Sequence, residues 1–134
     1  MLTEKQKEYL VLGTAFITEY NEDQPTDSDI KELLQFLGQQ CNLYIKNKDN
    51  VIKYTESAYV KLFDLTEGKD VTANLLCLAV GFVMLLLEED VFKGSNLLKV
   101  KRLTNSIFNK LEQSQKLETL MTTNKLVAKF KDLN

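Results

Sequence analysis

Histidine and tryptophan are absent from the 134-residue chain, and arginine occurs once, at Arg102. Without histidine there is no imidazole general base, no example of the commonest metal ligand, and no side chain that ordinarily titrates near neutrality. Ser-His and Cys-His nucleophilic pairs are excluded with it. Cysteine is nearly as scarce, with Cys41 and Cys77 alone. Two thiols and no imidazole make a poor zinc site. They are also too few for a disulfide scaffold. Both lie in apolar, helically periodic segments and read as buried thiols. Neither a phosphate-binding glycine loop nor a dinucleotide fingerprint is present. The chain is therefore read as a non-enzyme without metal or cofactor. The remaining option for acid–base work is paired carboxylates. Glu19, Glu22 and Asp23 form one cluster, and Asp27, Asp29 and Glu32 another. Both flank a polar linker, where carboxylates serve as helix caps and solubilising charge.

Proline occurs once, at Pro25, and five glycines stand singly. Period-two alternation is missing over any useful length, so strands are not expected. What is present instead is helical periodicity. Thr3 with Gln6 makes a capping box for a first helix from Glu4 to about Tyr20, with Leu12, Phe16 and Tyr20 on one stripe. Asn21 to Asp29 is a linker. A second helix is predicted from Asp27 or Ser28 to about Asn47, along Ile30, Leu33, Leu34, Leu37, Cys41 and Tyr44. Gly38 inside it points to a close helix crossing. Lys46 to Asn50 is a turn, and a third helix is expected over Val51 to Leu65. Gly68 is expected as a C-cap and Asp70 as the N-cap of a fourth helix that ends at Gly94. A fifth helix starts at Ser95 or Asn96 and carries Leu97, Val100, Leu103, Ile107 and Leu111 on one side. The helical pattern continues to Met121. Thr122 to Asn124 is a weak break, and an amphipathic tail follows with Leu126, Val127, Phe130 and Leu133.

Long apolar runs are also rare: one stands out, thirteen residues from Leu75 to Leu87, which then meets Glu88, Glu89 and Asp90. Thirteen residues of helix rise about 20 Å, whereas a bilayer core is about 30 Å thick. A helix apolar on all sides must instead be surrounded by other helices. The expected fold is thus all-α, a single-domain bundle of five to six helices around a central apolar helix at about residues 71–92. Gly81 offers a point of close approach there. The alternative cover for this helix is a second copy of the chain, a homodimer. The three carboxylates at its end mark its emergence into water.

Charge is the most distinctive property. Residues 1–90 hold 8 lysines and 16 acids, a balance of −8, and residues 91–134 hold 9 basic residues and 3 acids, a balance of +6. Two surfaces of opposite sign are expected. The candidate basic face is Lys99, Lys101, Arg102 and Lys110. The candidate acidic face is Glu22, Asp23, Asp27 and Asp29. The first could neutralise phosphates, with Asn105 and Asn109 reaching base edges. The two could also pair with each other inside the molecule. Small helical chains without catalytic groups act by occupying a partner's surface. The functional expectation is therefore a protein–protein interaction module, a small regulator or inhibitor. A nucleic-acid-binding regulator using residues 95–112 is the alternative. Met1 to Lys7 is charged and no signal-type apolar core follows, so a cytoplasmic setting is expected. Sixteen lysines to one arginine, with ten asparagines, match A/T-rich codons and suggest a low-GC bacterium or a phage.

Overall fold

Six helices and the short connections between them make up the described chain. The structure, a computed structural model, describes residues 2–45, 47–65, 75–88 and 90–132. The helices are α1 (Glu4–Asp23), α2 (Ser28–Tyr44), α3 (Lys48–Leu65), α4 (Leu75–Glu88), α5 (Gly94–Asn109) and α6 (Gln113–Asp132). The all-α helical bundle expected from the periodicity is what the chain forms. Strands are absent among the described residues.

The local signals explain most of the boundaries. Thr3 caps α1: its Oγ1 accepts from the Gln6 N–H at 3.1 Å, and the Gln6 Oε1 accepts from the Thr3 N–H at 2.9 Å. That closes the capping box read from the sequence. Asp27 caps α2 by accepting from the N–H groups of Asp29 and Ile30. The second turn is shorter than expected. α2 stops at Tyr44, and Ile45 goes into a small cluster with Val11 and Tyr54. Asn47 then caps α3 through an acceptor bond from the Asp49 N–H, so Lys48 to Asn50 are already helical. The proposed caps at Gly68 and Asp70 lie outside the described residues.

Three further boundaries differ from the sequence reading. α4 ends at Glu88, not at Gly94. Asp90 takes the left-handed conformation, with φ 55°, and the Val91 N–H reaches back to the Leu86 C=O at 3.4 Å. This is the bond of a Schellman motif, with aspartate in the place glycine usually holds. Val91 and Phe92 then run into the core. Gly94, with φ 60°, instead opens α5, ahead of the expected Ser95 or Asn96 cap. The break after α5 falls at Lys110 to Glu112, where Lys110 and Leu111 make tight bonds to the carbonyls of Ile107 and Phe108. The Gln115 side chain accepts from the Glu112 N–H and helps start α6. Thr122 to Asn124 lie inside that helix. Low propensity at two threonines and an asparagine is worth a few tenths of a kcal/mol each, and packing overrides it.

The core has two central helices rather than one. α4 packs against α1, α5 and α6, while α1 packs against α2, α3 and α4. They meet through a stacked pair, Phe16 on Phe82, with centroids 5.3 Å apart and planes 4° apart. The close crossing is at Gly13, where a Cβ would lie 3.0 Å from Leu86 Cδ1. Gly38, expected to serve as such a point, has open space where its Cβ would be. It therefore carries its helix cost of about 1 kcal/mol relative to alanine without an evident packing return. Gly81 is itself buried. From Ala79 to Leu86 the chain of α4 is buried except for Met84, which is half-buried. Its own neighbours cover it, so this part needs no second copy. Among the described residues no helix is long and apolar enough to cross a membrane.

Candidate interaction surfaces

The two charged faces anticipated from the sequence are, for the most part, one seam. α2 and α5 pack together, and rising numbers along α2 meet falling numbers along α5. At one end the Lys110 Nζ donates to Asp29 Oδ2 at 2.8 Å and to Asp27 Oδ1 at 3.2 Å. The Ser106 Oγ donates to the same Asp29 oxygen at 2.5 Å. Further along, Glu32 Oε1 lies 3.3 Å from Arg102 Nη2 and 4.0 Å from Lys99 Nζ. Lys99 also sits over the Phe36 ring, 5.2 Å from its centroid. Phe36 in turn tilts against Phe92 at 5.5 Å. The seam therefore begins at the α2 N-terminus, where Asp27 and Asp29 also complement the helix dipole.

Of the eight residues singled out in advance, five join this seam: Lys99, Arg102, Lys110, Asp27 and Asp29. Lys101 points elsewhere, into a cleft of about 380 Å³ with Met84, Leu87, Glu88 and Thr123. Glu22 is exposed on the last turn of α1, and the side chain of Asp23 lies outside the described set. Glu32, not singled out as a binding residue, is the acid that holds both Lys99 and Arg102. Its place three residues after Asp29 was the available signal.

The seam has a defined pH range. The Asp29 carboxyl lies below its ordinary 3.8, first because Lys110 donates to it and next because Ser106 does. Lys110 lies above its ordinary 10.5, chiefly through Asp29. What Asp29 contributes is complete above pH 3.8 and is lost as pH falls through the lowered value. What Lys110 contributes is complete below 10.5 and is lost as pH rises through the raised one. Both groups are partly exposed, so the net worth is small, about 0–1 kcal/mol. Lys110→Gln is expected to bring the Asp29 carboxyl part of the way back to 3.8, with Ser106 retaining the rest. An NMR titration of the carboxyl carbon checks it, and unfolding should weaken by less than about 1 kcal/mol.

Two smaller polar contacts fix α1 to its neighbours. The Tyr54 hydroxyl donates to Glu4 Oε2, which lowers the Glu4 carboxyl and pushes the Tyr54 phenol up to about 12. Cys41 is half-buried beside Thr14, 3.3 Å from its hydroxyl. Burial raises its thiol, so it stays protonated and unreactive at neutral pH. It is a free cysteine that packs on the core, as expected for that position. The side chain of Cys77 lies outside the described set. Among the described residues no three acidic or thiol groups converge as a metal site would require.

No protein-family model, curated protein or solved structure matches the chain.

The surface that sequence reasoning missed is the face of α6 around Leu117, Leu120 and Met121. This helix packs on α4 through Thr119, Thr123 and Val127. Thr119 is fully buried, its hydroxyl has no partner among the described residues, and the Thr123 hydroxyl donates to the Thr119 C=O at 2.8 Å. Facing away from the bundle are Leu117, Leu120 and Met121, which are 60%, 44% and 53% exposed. Threonines point inward and large aliphatics outward, the reverse of an ordinary surface helix. α3, which also touches α6, exposes Ile52 and Val60.

Proposed function

We propose that the chain is a non-enzymatic protein-interaction module and that the outward face of α6 is its contact surface. One observation carries this reading: Leu117, Leu120 and Met121 stand in solvent while Thr119 and Thr123 are inside. Folding of the isolated chain has nothing to gain from three exposed large aliphatics on one helix. A contiguous exposed apolar patch marks a contact site. As a regulator or inhibitor, the protein would act by covering a partner's surface. The free thiol of Cys41 fits a reducing compartment, the cytoplasm. The abundance of lysine and asparagine, residues with A/T-rich codons, supports a low-GC bacterial or phage origin.

The alternative, a nucleic-acid-binding regulator, is less well supported. Lys99, Arg102 and Lys110 already face carboxylates at 2.8 to 4.0 Å. Phosphates would have to displace Asp27, Asp29 and Glu32 to reach them. Lys101 remains as a charge outside the seam, and a single cation gives little affinity and a shallow salt slope. The test is fluorescence anisotropy with random duplex DNA at low salt, together with a photo-crosslinker carried on Leu120→Cys in an extract of the native host. The expected result is no DNA binding and a protein adduct from position 120 that is missing when the label is on Asn105→Cys. DNA binding that weakens when Lys101 and Arg102 become glutamine would overturn the reading.

A further inference from the structure

The α6 face carries more information than its greasiness. At 100° per residue, Leu117, Met121, Asn124 and Ala128 fall in one stripe along the helix, and all four are exposed. Leu120 borders the stripe on one side. Glu118 and Lys125 border it on the other, seven residues apart, both exposed. Among the described residues neither of these two charges has an ion-pair partner.

This is the layout of a helix that pairs with a copy of itself running the opposite way. In an antiparallel pair about a two-fold axis, each flank of the stripe lies against the same flank of the other helix. An acid and a base two turns apart on one flank are then matched twice. Glu118 of each copy falls opposite Lys125 of the other, and the stripes, apolar except at Asn124, close between them. A parallel pair would set this flank against the Leu120 flank and leave both charges without partners. We propose that two copies of this chain associate through an antiparallel α6–α6 contact, with Glu118 of each opposite Lys125 of the other. The proposal rests on α6 being the interaction surface and names its occupant as a second copy.

The stripe is short. From Leu117 to Ala128 it rises about 16 Å, well below what a standard interface of about 800 Å² per partner needs. The dimer is therefore weak and concentration-dependent, in the micromolar range. Such an affinity suits a regulator whose assembly follows its own abundance.

Sedimentation equilibrium of the full chain, up to about 200 µM, tests this directly, since a micromolar dimer is then well populated. A monomer–dimer equilibrium is expected. Leu117→Glu should remove it while far-UV circular dichroism stays unchanged, because the site is exposed. Glu118→Lys alone and Lys125→Glu alone should each weaken it roughly 5- to 30-fold, by turning two attractive pairs into two repulsive ones. The double variant should return to near the wild-type value. These charge changes sit on exposed positions, so they remain informative if Leu117→Glu fails to fold. A chain still monomeric at the top concentration, a dimer indifferent to Leu117→Glu, or a double variant that does not recover would each overturn the proposal. A monomer that still gives protein adducts from position 120 would remove the self-pairing and leave the interaction reading standing. A monomer without adducts would remove both.

Discussion

Phe82→Ala is expected to lower the free energy of unfolding by about 3–5 kcal/mol, the range for deleting a fully buried aromatic ring. Phe82 is fully buried on α4 and its ring stacks on Phe16 of α1. The loss therefore has two parts: apolar area no longer removed from water, and a ring–ring contact of about 0.5–1.5 kcal/mol. Relaxation cannot recover much. The helices already approach closely at Gly13 and Leu86, next to the ring, so α1 and α4 have little room to close on the cavity. A small domain has about 5–15 kcal/mol in total, so a large share disappears with one side chain. Urea unfolding checks it: the midpoint should fall while the slope stays constant. A shift worth less than about 1 kcal/mol would mean that the α1–α4 contact is not the centre of the core, since a site this close-packed cannot collapse to recover the loss.

How legible this fold was depended on the range of the interaction. Thr3 with Gln6, and Asp27 ahead of Ile30, act within four residues, so their caps could be read from the chain alone. The apolar run at Leu75 to Leu87 announced a helix covered on all sides, and composition suffices for that. The second central helix was harder to see. Tyr9, Leu10, Val11 and Leu12 are consecutive, so they point all round α1 and every one is buried. A reading built on the Leu12–Phe16–Tyr20 stripe treated α1 as one-sided. At Asp90 the error was one of residue type: aspartate takes the left-handed turn commonly given to glycine. Gly94, four residues on, looked like the better stop.

The charged seam was half legible. Lys99, Arg102, Ser106 and Lys110 recur at three- and four-residue spacing on α5, and Asp29, Glu32 and Phe36 do so on α2. Each stripe can be found in sequence. That they face each other, antiparallel and in this register, is tertiary information. Lys101 shows how fine the distinction is: one residue from Arg102 turns it about 100° around the helix, away from Glu32 and into a different cleft. On α6 the sequence rule pointed the wrong way. An amphipathic helix ordinarily turns its leucines inward. Leu117 and Leu120 face out, while Thr119 and Thr123 are buried and the Thr123 hydroxyl bonds the carbonyl four residues back.

Leu85→Asp is expected to abolish cooperative unfolding at neutral pH, with a loss above about 4–5 kcal/mol. Leu85 is fully buried on α4, and α1, α5 and α6 surround that helix. A carboxylate there gives up its hydration and leaves a cavity besides. It also separates two accounts of the apolar run. If α4 met a partner or lipid, the variant would fold normally as a monomer and fail only in assembly. If its own chain encloses it, the variant should lose its sharp urea transition before any question of assembly arises. The charge provides a further check. Burial disfavours the ionised form, so the introduced carboxyl would have a raised pKa in the folded state. The neutral acid is tolerated better, and its penalty grows as pH rises through that raised value. Relative to wild type, Leu85→Asp should therefore be least damaging near pH 4 and most damaging at pH 7. A cavity alone would show no such trend, so circular dichroism at the two pH values tells a buried charge from a merely lost leucine.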